Sequence, residues 1–271
     1  MSQETDGNVK STLQSIDVHR TWSSGFRTAE NEPFYQQAFD YLATVYGAPG
    51  DEPILDAGCG SGTKSVHLSA RGYSVVGVDF SQAILDVAMR SIAAQKLSDR
   101  ITLQKADLTD LTFGDASFGR VLCWGVLMHI PAVDKAVAEV VRVTRPGGSI
   151  IVSERNHYGI ESIALRVLKH LLRRQHARVC DTPAGLEFWD DTPSGTLMTR
   201  QANIAWLIRQ FAAHGADLVV RRSGQFSEPF VSIPWKPLRF AVHAFNGFWF
   251  RWTPWAAPAC ANLLVFRQGV G

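Results

Sequence analysis

Residues 54–66 read ILDAGCGSGTKSV, an apolar run with an aspartate near its end, then glycine at positions 58, 60 and 62. A short apolar run that stops at glycines, with a helical stretch behind it, is a strand–turn–helix unit. Three glycines strip side chains from the turn, so that a ligand can lie against the main chain. A phosphate, a dinucleotide and a sulfonium nucleoside would each leave such a turn. The same grammar continues downstream. TKSVHLSARG reads as a helix ending on Gly72, YSVVGVDFS as a second strand, and Ser81 as the cap of the helix QAILDVAMRSIAAQ. ITLQKADL, FGRVLCWGVLMHI and SIIVSERN follow as further strands, with the helix PAVDKAVAEVVRVTRPGG before the last of them. Strands alternating with helices of this length predict an α/β fold, a doubly wound and mostly parallel sheet.

The flanks are less regular. Residues 1 to about 12 read as a polar, disordered tail, and Phe34, Ala38, Tyr41, Leu42 and Val45 recur at helical period before Gly47. Beyond residue 155, GIESIALRVLKHLLRRQHAR places Ile160, Ile163, Ala164, Val167, Leu168, Leu171 and Leu172 on one helical face and basic residues opposite. A loop follows, then a helix over MTRQANIAWLIRQFAAHG. ADLVVRRSGQF and CANLLVFRQ form a closing antiparallel hairpin, giving seven strands. This divides the chain into an N-terminal tail and lid (1–33), a core (34–155), a helical cap insertion (156–200) and a C-terminal helix and hairpin with an aromatic insertion (201–271). That last insertion carries four of the eight tryptophans.

Bulk properties exclude several classes. A formal net charge of +2 over 271 residues lacks the basic bias of a nucleic-acid binder. Four scattered cysteines form no CxxC pair, which speaks against a metal site or a disulfide framework and for a reducing cytoplasm. The polar start MSQETDGNVK predicts no signal peptide. No stretch approaches the length of a spanning apolar helix.

The glycine spacing then narrows the ligand. A dinucleotide turn reads G-x-G-x-x-G, whereas here the third glycine falls one position early, at Gly62. Asp56 precedes the turn, where a carboxylate would repel a pyrophosphate but suit a cationic amino group. A phosphate P-loop does not fit, and Lys64 after Gly62 carries no such meaning.

LDAGCGSG resembles the first motif of the class I S-adenosylmethionine-dependent methyltransferases, of the small-molecule, ubiquinone-biosynthesis-like type. Asp79 ends VVGVD, 23 positions after Asp56, where that family's acidic residue bonds the ribose hydroxyls. Asp107 in KADL, between Ala106 and Leu108, stands where a carboxylate accepts from the adenine amino group. FGRVLCWGVLMHI resembles the fourth-strand motif, and RVTRPGGSIIVSE the helix–turn–strand that closes the core. The resemblance implies a Rossmann-like fold. It also implies a donor site of Asp56, Gly58, Cys59, Gly60, Gly62, Asp79, Phe80, Ala106, Asp107, Leu108, Cys123 and Trp124. Cys123 reads as a small buried residue whose backbone matters more than its sulfur.

Methyl transfer from a sulfonium needs alignment above all, and a hydroxyl acceptor also needs a base. His129, just past the fourth strand, is the first candidate, with His157 and Glu154 beyond the fifth. Trp22 belongs to an expected lid, and Trp189 with its acidic neighbours to the variable cap, so Trp22, His129 and Trp189 are candidate acceptor contacts. No metal is expected. The expected reaction is transfer to oxygen of a small or lipophilic metabolite, with nitrogen, sulfur, carbon and membrane-lipid acceptors as alternatives. Starting a helix at Pro237 puts Leu238, Ala241, Val242, Phe245, Trp249 and Trp252 on one face and Arg239, His243 and Asn246 opposite. The favoured reading packs the apolar faces of both insertions on the sheet or around an apolar pocket. Peripheral membrane contact and a homodimer interface are the alternatives.

Overall fold

Ile54–Ala57 (β1) is buried along its whole length, because it sits at the centre of a sheet covered on both faces. Such strands read as continuous apolar runs rather than alternating ones. In the computed structural model, which describes residues 9–19, 28–171, 178–228 and 234–270, the elements run as follows. The helix α1 (Glu32–Tyr46) precedes β1, α2 (Thr63–Ser69), β2 (Val75–Asp79), α3 (Gln82–Ala94), β3 (Ile101–Lys105) and β4 (Phe118–Trp124). After a 3-10 turn at Leu127–His129 come α4 (Val133–Arg142), β5 (Thr144–Arg155) and α5 (Ile160–Leu171). Next are β6 (Arg178–Thr182), β7 (Gly185–Thr192), β8 (Gly195–Ala202), α6 (Ile204–Ala213), β9 (Ala216–Ser223), α7 (Lys236–Trp252) and β10 (Ala261–Gln268).

Seven strands form one sheet in the order β3-β2-β1-β4-β5-β10-β9. The first five are parallel, and β10 runs antiparallel to both β5 and β9. Alternate residues feed opposite cores. Leu55, Val121, Cys123, Ile150, Val152, Leu264 and Phe266 point to one side with α4 and α6. Ile54, Leu122, Ile151, Leu263 and Val265 point to the other with α1, α2 and α3. Strand order reverses between β1 and β4, and ligands of open α/β sheets bind at such a switch point.

Several expectations change. Residues 9–13 are helical rather than a disordered tail, with Val9 and Leu13 buried against Trp189 and Met198. Ser81 starts α3 without a side-chain cap bond, and its N–H donates to Asp79 Oδ1. The cap region is one helix followed by a three-stranded antiparallel meander, β6-β7-β8. Its two tight turns are the near-identical DTPAG and DTPSG, each closed by a Thr hydroxyl donating to the glycine carbonyl, at 2.8 Å for Thr182 and 2.7 Å for Thr192. β8 also takes residues expected to be helical, and Asn203 caps α6 by accepting from Trp206 N–H.

The two amphipathic helices sit the other way round from the favoured reading. α7 buries His243, Asn246, Gly247 and Phe250, while Leu238, Phe240, Phe245 and Trp252 are exposed. α5 buries Ser162 and turns Glu161 inward, leaving Ile160, Ile163, Val167, Leu168 and Leu171 exposed. Glu161 and Asn246 on the inward faces are hydrogen-bonded. Glu161 accepts from Ser227 Oγ and Glu228 N–H, and Asn246 exchanges two bonds with the Ser227 backbone.

Candidate active site

The turn after β1 is built around its glycines. Gly58 adopts φ 81°, and a Cβ there would lie 2.5 Å from Val126 Cγ1, so the loop after β4 closes directly on it. Gly60 adopts φ 54° and a Cβ there would meet nothing within 4 Å, so its main chain faces open space. The Gly60 N–H donates to Asp79 Oδ2 at 3.0 Å, and Ser81 N–H to Oδ1 at 3.0 Å. The carboxylate at the end of β2 is thereby fixed between the turn and α3. Burial raises its pKa from the ordinary aspartate value, against the opposing effect of these N–H donors.

A cavity of about 430 Å³ opens over this edge of the sheet. Its size falls in the range of small-molecule sites, ~300–1,000 Å³. One end is walled by Gly58, Cys59, Gly60, Asp79, Phe80, Asp107 and Leu108. Asp107 Oδ1 accepts from the N–H and hydroxyl of Thr109, and Oδ2 meets Lys10 Nζ at 2.7 Å. Burial pushes the Asp107 pKa up, but the Lys10 and Thr109 contacts outweigh it and hold the carboxyl below its ordinary value.

The other end is walled by Trp124, Met128, His129, Glu154, Arg155, Gln225 and Glu228. His129 Nδ1 lies 3.1 Å from the Met198 carbonyl. A carbonyl only accepts, so Nδ1 carries the proton and Nε2 the lone pair. Burial pushes the His129 pKa down to about 4, so the ring is neutral at physiological pH. Glu154 is 2% exposed; Oε1 accepts from Leu127 N–H at 2.9 Å, and the buried Oε2 has no hydrogen-bond partner among the described residues. Burial raises its pKa to about 8, so it is mostly protonated at neutral pH. Arg155 faces Glu228 at 3.6 Å and Glu161 at 3.8 Å.

Gly58, Cys59, Gly60, Asp79, Phe80, Asp107, Leu108, Trp124, His129 and Glu154 thus share one cavity. The remaining sequence candidates stand off it. Asp56 lies behind the turn with Ser65 Oγ donating to it at 2.6 Å, and burial raises its pKa to about 6. Gly62 starts α2, where a Cβ would crowd Ile92 Cδ1 at 3.2 Å. Ala106 and Cys123 belong to the core on the α4 side. His157 packs edge-on to Tyr158 outside the cavity lining. Trp189 is buried under the N-terminal helical segment, and its Nε1 donates to Glu187 at 3.3 Å. Trp22 lies outside the described residues.

Sequence reasoning missed Lys10, His19, Tyr35, Lys64, Arg155, Gln225 and Glu228 as lining residues. Lys64 was the legible one, since it directly follows the turn and lies 5.0 Å above the Tyr35 ring. Gln225 and Glu228 reach the cavity only because β9 lies beside β10, a long-range placement without a local signal.

Residues 55–152 match the protein family described as "Methyltransferase domain". A demethylmenaquinone methyltransferase of Clavibacter sepedonicus is 41% identical over 103 residues, covering 38% of this chain and 41% of its own. A ubiquinone biosynthesis O-methyltransferase of Alkalilimnicola ehrlichii is 33% identical over 118 residues, covering 43% and 47%. The chain therefore spans less than half the length of these curated relatives. Among solved structures, a SAM-dependent methyltransferase from Methanosarcina mazei shares the fold, with TM-score 0.61 at 16% identity over 85% of this chain and 98% of that one.

Proposed function

We propose that the protein is an S-adenosylmethionine-dependent methyltransferase that methylates an oxygen of a small, lipophilic acceptor; the match of residues 55–152 to a methyltransferase domain and the shared fold support this reading. The observation that carries this reading is the continuity of the cavity from Asp107, Asp79 and Gly60 to His129 and Glu154. The residues present suit the donor. Asp79 offers a fixed carboxylate to a diol, Asp107 a second acceptor to an amino group, and Gly60 an open main-chain face. When bound, the donor supplies a methyl group on a sulfonium, ready for in-line displacement.

The chain's own residues then position and deprotonate. Alignment of two reactants in such a cavity is worth ~7–11 kcal/mol of barrier. His129, neutral and with its lone pair on Nε2, accepts the acceptor's hydroxyl proton as the carbon–oxygen bond forms. It is a weak base, so proton transfer accompanies methyl transfer rather than preceding it. Glu154, protonated at neutral pH, donates a hydrogen bond from Oε2 to the acceptor and orients it. Trp124, stacked on Phe39 at 5.6 Å, gives the acceptor end an apolar wall. Glu154, Arg155, Gln225 and Glu228 line the acceptor end and lie outside the matched methyltransferase domain, so they are the groups assigned to choosing the acceptor.

The test is transfer of a labelled methyl from the donor to a panel of phenols and quinols, amines and thiols. Label is expected in phenolic ethers, and His129→Ala lowers kcat by about 10²-fold or more with donor affinity unchanged. Transfer confined to amines or thiols rejects the oxygen assignment, and full turnover by His129→Ala rejects its role as base.

A further inference from the structure

The outward faces of α5 and α7 are the least explained surface of the molecule. On α7, Phe240 is 68% exposed, Phe248 57% and Trp252 66%, and Trp255 just beyond is 69% exposed. An amphipathic helix in a soluble protein turns such residues inward; this one turns in His243, Asn246 and Gly247 instead. α5 repeats the inversion with Ile160, Ile163, Val167 and Leu171 outward.

The two faces are continuous. Ile160 N–H donates to the Pro258 carbonyl at 3.0 Å, and Trp249 Nε1 to the Trp255 carbonyl at 3.1 Å, so the 253–260 loop bridges them. Phe226 packs on α7, 5.2 Å from Phe245 and 4.5 Å from Trp249, and its carbonyl accepts from Cys260 N–H at the end of that loop. Its neighbours Gln225 and Glu228 line the cavity, so the patch borders the acceptor end of the site. Contiguous exposed apolar patches of this kind mark interaction surfaces.

We propose that this face docks on an anionic lipid bilayer, lying in the interface with its aromatic side chains in the headgroup region. The charge pattern selects that partner. α7 carries Lys236 and Arg251 and no acidic residue, its third cation, Arg239, being paired with Glu30 at 3.3 Å, and the 253–260 loop carries no charge. The single carboxylate of α5, Glu161, is turned inward onto Ser227 and Glu228. Apolar and aromatic residues edged by cations, with the acids withdrawn, are the composition of an interfacial helix, and tryptophan concentrates at that depth. Among the described residues no helix is long and apolar enough to cross a membrane, and the geometry is of a helix that lies on one. Docking there brings the acceptor end of the cavity next to the lipid phase. The inference deepens the reading of a lipophilic acceptor, but its test reads binding alone and stands or falls without methyl transfer.

The 271-residue chain is co-sedimented with phosphatidylcholine vesicles, with and without phosphatidylglycerol, at low and high salt. Binding is expected to the anionic vesicles and to weaken with salt. Phe248→Ser/Trp252→Ser is expected to lower the partition coefficient roughly tenfold with an unchanged melting temperature, since both side chains are exposed. Absence of binding to either vesicle overturns the proposal, as does equal binding by the double variant. A dimer in sedimentation equilibrium that the double variant dissolves, without vesicle binding, assigns the face to a second copy of this chain instead.

Discussion

Arg200 is where the cap meets the site, and replacing it by methionine has a calculable cost. It lies directly opposite Glu187 on the neighbouring strand, and both side chains are 3% exposed. Its Nη2 and Nε donate to Glu187 Oε1 at 2.7 and 3.2 Å. Its remaining donors reach the carbonyls of Leu127 at 3.1 Å, Ile130 at 3.0 Å and Pro131 at 3.3 Å, which frame His129. Arg200→Met keeps the apolar stem but strands a buried carboxylate and leaves three carbonyls short of a donor. Breaking a buried pair from one side costs ~3–5 kcal/mol. At ~2–4 °C per kcal/mol for a chain of this size, the melting temperature is expected to fall by about 6–20 °C in scanning calorimetry. Glu187→Gln/Arg200→Met removes the stranded charge, so it is expected to be less destabilised than the sum of the single variants by about 2 kcal/mol. A melting temperature for Arg200→Met within about 3 °C of the parent, or strict additivity in the double variant, refutes the claim that this pair fastens the cap to the 127–131 segment.

Gly58→Ala drives a Cβ into Val126 at a positive φ, so a loss of about 2–4 kcal/mol is expected in denaturant unfolding. Gly60→Ala has open space for its Cβ and is expected to cost about 1 kcal/mol of stability or less, while weakening donor binding by calorimetry. Glu154 keeps its proton up to about pH 8, whereas the unfolded chain releases it near pH 4.5. Its contribution to stability therefore falls as pH rises from about 4.5 to 8, and Glu154→Gln is expected to flatten that slope in pH-dependent melting. If Glu154 orients the acceptor as a hydrogen-bond donor, kcat falls as pH rises through about 8, and the glutamine variant stays active without that inflection.

The seven-stranded sheet was legible because its strands are short apolar runs punctuated by glycines, and each β–α unit is local in sequence. That Gly58, Gly60, Asp79 and Asp107 line one cavity followed from it, since all four sit at strand ends. The bond from Ser65 to Asp56 behind the turn was not legible, because a carboxylate at a strand end reads the same whether or not a local hydroxyl donates to it. The meander β6-β7-β8 was hidden by its prolines, although DTPAG and DTPSG, ten residues apart, are a repeated hairpin signal. The orientation of α5 and α7 was not legible at all. Periodicity finds a stripe of Phe and Trp, but the side that faces inward is set by partners distant in sequence, such as Ser227 for Glu161 and Asn246. Helical periodicity assumes that apolar residues go inside, and here Glu161 and Asn246, on the polar side, have the bonded partners.

Calorimetric titration with S-adenosylmethionine and its demethylated product tests the central claim most directly, with the parent protein and Asp79→Ala side by side. The account predicts one site per chain in the parent. It predicts a loss of ten- to hundredfold or more in the variant, since hydrogen bonds to a charged group are worth ~1.5–3 kcal/mol each, with the fold intact by circular dichroism. A parent that binds neither ligand, or a folded Asp79→Ala that binds both as tightly as the parent, would contradict the assignment of this cavity to the methyl donor.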